Sequence, residues 1–444
     1  MSNDTSNTQD KIRDKIDVAV IGGGIAGMSA SIHLARAGMQ VVCIDAGLAS
    51  GDPVGESLDW SAPDLLTGLG LPMQQLLNEG IATCKRHIVL KLLDGTEHEY
   101  VPGEWLGRPP YNVQLDTLHV DRVRLDSVIR SIMIESGVQI IRARIIAIET
   151  EGRRVKSLRT AEEGLIEARW YIDASGSKSC LLPRLFQLQF VEYGPHKVAM
   201  WDYFTTTSMV QGTTLHAFSA PGRYMEWIWK IPIRADVVSV GYIAPGESVA
   251  EQRRKGESVE EIFARQLEGF SDLRRLAEEQ PAEALRTTSF RCRVCSKVAG
   301  PNWIVIGEAA AMVDPMTSNG VTAALRQASE AAGLIARYRS RTQIPALAAR
   351  IYAWRAASVA CFFNCGIERV IYDWPVRTRL GVVRAGDLYT IPAWLMNLVY
   401  ARLRPKGLLK TALYASALLA LRAAFNLLSL YCRETASPET ICTI

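Results

Sequence analysis

Gly22, Gly23, Gly24, Ile25, Ala26 and Gly27 separate a short apolar run at residues 17–21 from a helical pattern at 28–38. A second apolar run, at 40–44, ends on Asp45. Strand, glycine turn, helix, strand and acid within about thirty residues is the layout that binds the pyrophosphate of a dinucleotide. Gly22 permits the tight turn, Gly24 lets backbone approach a phosphate at the helix amino end, and Gly27 lets helix pack on strand; Asp45 can accept a ribose hydroxyl. Further along, Trp227 and Trp229 fall on one side of an apolar run, where the residues by themselves read as two core aromatics. Cys292 and Cys295 form a CxxC without a second pair or clustered His, so no zinc site is expected; a redox-active thiol pair is the lesser reading there. Cys361 and Cys365, four apart on a helical pattern, read as core. The six His residues are scattered, and neither a Ser–His–Asp order nor a P-loop occurs.

Positioning these groups takes a mixed architecture. Alternating strand and helix signals run to about residue 185, and an aromatic, β-rich stretch follows from about 190 to 294. Residues 303–307 form another buried apolar run leading into a small-residue turn and a long helical pattern, and from about 344 the pattern is almost wholly helical. An α/β fold is expected: a Rossmann-type nucleotide-binding domain, an interleaved β-rich domain and an α-helical carboxyl-terminal region. The 444 residues, 48% hydrophobic and 22% charged, exclude disordered, collagenous and disulfide-scaffold classes. A net charge of +4 gives no global field for nucleic acid. Nine widely spaced cysteines fit a reducing cytoplasm, and the polar residues 1–17 carry no apolar signal segment. The most apolar stretch, 408–431, is interrupted by Lys410 and Arg422, so it reads as a buried helix or a docking face for a protein partner rather than a membrane span. Membrane contact is not expected; the basic group Arg402, Arg404, Lys406 and Lys410 is the feature that would favour a peripheral surface.

The order of these signals over residues 16–345 resembles the FAD-dependent monooxygenases and flavin-dependent halogenases that share the para-hydroxybenzoate-hydroxylase-like fold. Beyond the glycine turn, the resemblance rests on Gly55, Glu56, Ser57 and Leu58 after the second strand, and on Val120, Asp121 and Arg122 with Leu125 and Asp126. It extends to Asp173 and Gly176, then to Gly307, Glu308, Ala309 and Ala310 followed by Asp314, Pro315, Ser318 and Gly320. Trp227, Ile228, Trp229, Lys230, Ile231 and Pro232 are similar to the WxWxIP signature of the halogenases. The resemblance implies FAD, reduced by NAD(P)H directly or by a partner reductase. Its site would comprise Gly22, Gly24, Ile25, Ala26, Gly27, Asp45, Glu56, Ser57, Arg122, Asp173, Gly176, Gly307, Glu308, Pro315, Gly320 and Val321. Glu308 stands where the family has the Asp that binds the ribityl chain. Asn319 and Gly320 open a helix whose positive end can stabilise charge on reduced flavin.

Hydroxylases and halogenases of this kind both begin from reduced flavin and dioxygen, through a flavin hydroperoxide in a dry pocket. In halogenases, hypohalous acid then reaches a Lys shortly after the GES(L) segment. Lys85 lies near that position but is followed by Arg86 and His87 rather than small and aromatic residues. Thr317 replaces a Glu that assists ring deprotonation in tryptophan-type members. The expected catalytic group is Lys85, His87 as a general base, Trp227, Trp229, Thr317 and Ser318. Given the two departures, hydroxylation of an electron-rich aromatic is the expected function. A special case is a peptide-bound Trp, as in maturation of the tryptophylquinone cofactor of quinohaemoprotein amine dehydrogenase. Halogenation of an aromatic is the alternative, and a geranylgeranyl-reductase-like activity a third. The expected partners are dioxygen and an aromatic small molecule or polypeptide, without nucleic acid. The FAD-binding domain is expected at 16–80, 115–185 and 296–343, the substrate domain at 81–114 and 186–295, and a helical domain at 344–444.

Overall fold

The computed structural model describes residues 16–47, 53–101, 116–162, 164–207, 212–218, 224–279 and 285–373, and near the carboxyl end 416, 419, 420, 422–424, 426 and 427. The basic group at 402–410 and most of the apolar stretch at 408–431 lie outside the described residues. Among those described, no helix is long and apolar enough to cross a membrane.

Short runs of Val, Ile and aromatic residues form a five-stranded parallel sheet, buried throughout four of its strands and partly exposed at the fifth, which begins with Gln139. Its order is β17 (Trp303–Val305), β11 (Trp170–Asp173), β1 (Val18–Ile21), β2 (Val41–Ile44) and β7 (Gln139–Ile141). The order reverses about β1, so the turn after Ile21 opens at a topological switch point, where such sheets bind ligands. Three helices flank this sheet in one hydrophobic core: α1 (Ile25–Arg36), α2 (Arg122–Glu135) and α6 (Gly320–Arg337). An antiparallel ribbon of β8 (Ile145–Glu151), β9 (Arg154–Thr160) and β10 (Leu165–Ile166) crosses over from β7 to β11.

The aromatic stretch becomes an eight-stranded sheet. Its order is β18 (Ala311–Met312), β16 (Arg286–Cys295), β12 (Phe190–Thr205), β15 (Val237–Pro245), β14 (Glu226–Pro232), β13 (Thr213–Phe218), β4 (Ile88–Leu92) and β5 (Glu97–Tyr100). Alternation along β14 divides its two faces. Ile228 packs under α3 (Gly246–Arg254), α4 (Val259–Leu267) and α5 (Ser271–Glu279), whereas Trp227 and Trp229 enter a separate core with Met316, Ile367, Ile371 and Tyr372. A two-stranded ribbon, β3 (Ala82–Lys85) with β6 (Thr117–Val120), lies alongside the segment carrying Ser57, which bridges to His119.

Helix α7 (Ala346–Gly366) and the π-helical turn Ile367–Ile371 are shared between these cores. Ala349, Tyr352 and Ala353 join the nucleotide-side core; Cys361, Phe362 and Phe363 pack with Val294 and Val313; Ile367 and Ile371 join the indoles. The segment just past residue 344 is thus embedded in the rest of the molecule. Cys361 and Cys365 are buried there, as their helical spacing predicts. Cys292 and Cys295 are buried on β16, which is paired on both sides by β12 and β18.

Candidate functional site

The glycine turn is shaped by contact on one side and by space on the other. Gly22 has φ +107°, and a Cβ there would run into the Ala174 carbonyl; a Cβ at Gly27 would run into the carbonyl of Gly22 itself. At Gly24, the cap of α1, a Cβ would meet nothing within 4 Å, and the same is true of Gly176 and of Gly320, which opens α6. Two helix amino ends therefore present bare backbone to open space, the arrangement that receives phosphate and other anionic groups. Ile25 and Ala26 are buried in the first turn of α1, and a Cβ at Gly307 (φ +63°) would stand 2.9 Å from Ala26. Asp45 closes the turn from below: its carboxylate accepts from the Gly47 amide at 3.1 Å and from Arg130 at 3.1 Å, and Arg130 also donates to the Gly23 carbonyl.

A second group of side chains surrounds Lys85. Its ammonium group is 1% exposed and donates to Ser57 Oγ at 2.8 Å, the Leu58 carbonyl at 3.1 Å and Ser318 Oγ at 3.3 Å. Ser318 is placed by a left-handed φ of +55° at the end of the turn Pro315–Thr317, and its hydroxyl donates to Ser57 Oγ at 3.1 Å. Thr213 continues the chain, 3.3 Å from Ser57 Oγ and 2.8 Å from His119 Nε2. None of the three Lys85 partners is a carboxylate, and burial lowers its pKa to about 7 against a weaker opposing pull from Asp59. Burial, reinforced by the Lys85 charge, holds His119 well below the ordinary histidine range.

Glu56, next to Ser57, is buried 98% and has one oxygen, Oε1, without a hydrogen-bond partner. Burial pushes its carboxyl up to about 7, opposed by hydrogen bonds with Tyr203 and Ser239. Ser239 also accepts the Trp229 indole N–H at 3.0 Å, so the GES segment and the WIWKIP strand share one polar contact. The Trp227 indole donates instead to Tyr372 at 2.9 Å, and the two indole rings lie 6.0 Å apart.

A family model described as tryptophan halogenase matches residues 110–360, and one for FAD-dependent oxidoreductases matches residues 17–179. The first spans more than half of the sequence. The chain belongs to the tryptophan halogenase family. A tryptophan 2-halogenase of Chondromyces crocatus is 25% identical over 379 residues, covering 80% of this chain and 69% of the relative. A 1H-pyrrole-2-carbonyl-[peptidyl-carrier protein] chlorinase of Pseudomonas fluorescens is 25% identical over 346 residues, 71% of this chain and 75% of the relative. A menaquinone reductase of Mycobacterium tuberculosis is 30% identical over 347 residues, 73% and 77%. Among solved structures, a flavin-dependent brominase superposes with a TM-score of 0.70 at 19% identity over 93% of this chain and 100% of that one, a likeness of fold.

FAD is the cofactor of this family. The chain fits it: the bare amino ends at Gly24 and Gly320, the open position at Gly176 and the unpartnered buried Glu56 Oε1 are features a bound dinucleotide would complete. Other residues predicted for the site have local partners. Arg122 grips Asp126 with two bonds of 3.0 Å and donates to the Val54 carbonyl. Asp173 accepts the Ser175 and Leu182 amides, which shapes the loop around Gly176. Glu308 is exposed and accepts from Ser177 at 2.9 Å. Val321 packs beside Gly55, whose Cβ would come within 2.9 Å of it.

Of the six predicted catalytic residues, the structure brings Lys85 and Ser318 together, packs Trp227 and Trp229 in the core with Met316, and gives His87 and Thr317 other partners. His87 follows the end of β3, with its ring 3.8 Å from Glu99 and outside the Lys85 hydrogen bonds. The Thr317 hydroxyl turns back to the Asp314 carbonyl at 3.0 Å. Sequence reasoning missed Thr213 and His119, which come from distant strands, and a buried group formed by Lys197, Asp314 and Glu368. Lys197 Nζ lies 2.7 Å from Asp314 Oδ2 and 2.6 Å from Glu368 Oε1. Asn364, Glu368 and Tyr372, spaced four apart in a helical region, were a readable signal of that group.

Proposed function

We propose that the chain is an FAD-dependent halogenase of an electron-rich aromatic, and that Lys85 delivers the halogen. The observation that carries this reading is a buried lysine amine with hydroxyl and carbonyl partners, beside the turn that opens α6. Bound and reduced FAD supplies the reduction of dioxygen that yields hypohalous acid from halide. Gly24, Ile25 and Ala26 would hold its diphosphate, Asp45 a ribose hydroxyl, and Gly307, Pro315, Gly320 and Val321 the flavin end.

Lys85 then acts as a nucleophile, which requires the neutral amine. Its nitrogen attacks the halogen of hypohalous acid, an N–X bond forms as O–X breaks, and hydroxide leaves with a proton from nitrogen as water. The aromatic carbon next attacks the halogen, N–X breaks, and the electron pair returns to nitrogen, which recovers a proton from the ring. Ser57 and Ser318 hold the amine in place. In this cycle the ring proton has an acceptor without the Glu that Thr317 replaces. The family match and the buried environment of Lys85 favour this reading over the hydroxylation expected from the sequence.

Hydroxylation of an aromatic, including a peptide-bound Trp in quinone cofactor biogenesis, is the second reading, favoured by Thr317 itself. Reduced FAD from a separate reductase, labelled dioxygen and bromide, offered with tryptophan, a tryptophan peptide and a carrier-bound pyrrole, separate the two by mass spectrometry. Bromine in the product is the expected result. Labelled oxygen in the product without bromine would establish hydroxylation instead, and turnover of a quinone without dioxygen would remove both.

A further inference from the structure

The halogenase family model matches as far as residue 360, and the next turns of helix carry Asn364, Glu368 and Tyr372 at intervals of four. Side chains so spaced share one helix face. A polar stripe in so apolar a region should face water, yet this one is buried: Asn364 is 0% exposed and Tyr372 2%. Two of the three bond Asp314 directly and the third reaches it through Lys197; Asp314 begins the turn leading through Ser318 to Gly320. Asn364 accepts the Asp314 amide at 3.0 Å and donates to the Met312 carbonyl at 3.0 Å, so it fixes the backbone on which the turn starts. Tyr372 donates to Asp314 Oδ1 at 3.2 Å while accepting the Trp227 indole. Glu368 reaches Asp314 through Lys197, whose ammonium bridges the two carboxylates.

The surroundings are built to admit this stripe. Gly194, at φ +63°, leaves room for the Glu368 carboxylate, which a Cβ would strike. Tyr224 donates to both Glu368 oxygens, at 2.8 and 2.9 Å, and its ring stacks on Tyr372 at 4.5 Å. Lys197 lies 4.2 Å from the centre of the Tyr372 ring, within cation–π range. Glu368 lies within a π-helical turn and Tyr372 caps its end, a geometry that recurs at functional sites. A single ion pair would have satisfied Lys197. Lys197, Tyr372 and the Asn364 amide on one aspartate, with Glu368 and Tyr224 behind the lysine, over-determine the position of that residue, and with it the turn beyond it.

We infer that Asn364, Glu368 and Tyr372 are positioning residues that act through Lys197 and Asp314 on the turn from Pro315 to Gly320, and so on the flavin. The Trp227–Tyr372 bond links the same stripe to the paired indoles. The role rests on the reading that this turn faces FAD, and the test separates the two.

Glu368→Gln leaves Lys197 paired one-to-one with Asp314, and Tyr372→Phe removes a single hydroxyl; both changes spare the apolar packing. Apoprotein of each is titrated with FAD, following flavin fluorescence and visible circular dichroism, and its thermal unfolding is recorded. Gly320→Val, whose side chain enters open space, is measured in parallel. A rise in the FAD Kd of about fivefold or more in both stripe variants, the scale of one lost hydrogen bond, is expected. An altered flavin dichroism and partial return with Glu368→Asp are expected with it. A Kd within twofold of the parent in both stripe variants, whatever their melting temperatures, overturns the inference. If Gly320→Val also leaves FAD binding intact, the reading of the turn fails with it; if Gly320→Val abolishes binding, the positioning role alone fails.

Discussion

The Lys85 amine lies 2.8 Å from the Ser57 hydroxyl, across 28 residues of sequence, and both are buried. The bond joins β3 to the GES segment, and Ser318 completes it from the turn before α6. A lysine so placed has no solvent to satisfy it and, among the described residues, no carboxylate within hydrogen-bond distance, an arrangement that favours a reactive amine over a structural cation. Lys85→Met keeps the length and apolar stem and removes the nitrogen. Halogenation should fall at least about a hundredfold, the scale of losing a positioned reacting group, with the FAD Kd unchanged. Retained bromination in a variant that binds FAD would show that Lys85 has another role.

The pH dependence of stability separates Lys85 from its neighbour Glu56. With a folded-state pKa of about 7 against an ordinary 10.5, Lys85 has released a proton that the unfolded chain still holds above pH 7. Stability therefore rises with pH from about 7 toward 10. Glu56 runs the other way: folded, it keeps its proton up to about 7, whereas the unfolded carboxyl loses it near 4.5, so stability falls across that interval. At about 1.4 kcal/mol per pH unit, each contributes a few kcal/mol. Unfolding of the apoprotein between pH 4.5 and 9.5 should lose its alkaline rise in Lys85→Met and its acid-side fall in Glu56→Gln. Unchanged slopes would mean that neither group titrates near 7.

What was legible in the sequence was what backbone geometry dictates. Gly22 and Gly27 sit where contacts tolerate no side chain, so their spacing announces the turn directly. The alternation that puts Trp227 and Trp229 on one face holds for the same local reason. Lys85 was half legible: its distance from the GES segment marked it, but a charged residue followed by Arg86 and His87 reads equally well as surface. Burial by Ser57, Trp60 and Ser318 is a long-range outcome. Lys197 and Asp314 are 117 residues apart, and no local pattern pairs them. The spacing of Asn364, Glu368 and Tyr372 is local, but the helical, apolar composition around it points to a separate domain rather than to a partner across the sheet.

The two glycines of the first turn should fail in opposite ways. A Cβ at Gly24 would meet no protein atom within 4 Å, so Gly24→Val should fold with a melting temperature close to the parent and lose FAD, because the side chain would fill the phosphate approach. A Cβ at Gly27 collides with the Gly22 carbonyl, so Gly27→Ala should lower stability by roughly 1–3 kcal/mol before any cofactor is added. Thermal unfolding of the two apoproteins, followed by FAD titration, separates the cases. Retained FAD binding in Gly24→Val would place the diphosphate elsewhere.

Removing Lys197 tests whether the buried ionic group is structural as well as positioning. Its ammonium is 0% exposed and its pKa is held above the ordinary lysine value, where burial is outweighed by Asp314, Cys292 and Glu368. A raised lysine pKa contributes stability throughout the neutral range and loses it only in strong alkali. Lys197→Met would leave the carboxylates of Asp314 and Glu368 facing each other without a cation, and breaking a buried pair in this way costs about 3–5 kcal/mol. Those carboxylates can relieve the repulsion by binding protons, so the loss should shrink as pH is lowered from 8 to 5. Restoring charge balance with Lys197→Met together with Glu368→Gln should recover part of it. Urea unfolding of the three proteins at pH 5 and pH 8 measures both effects. A loss independent of pH, with no recovery in the double variant, would mean that Lys197 contributes through its packed stem rather than through its charge.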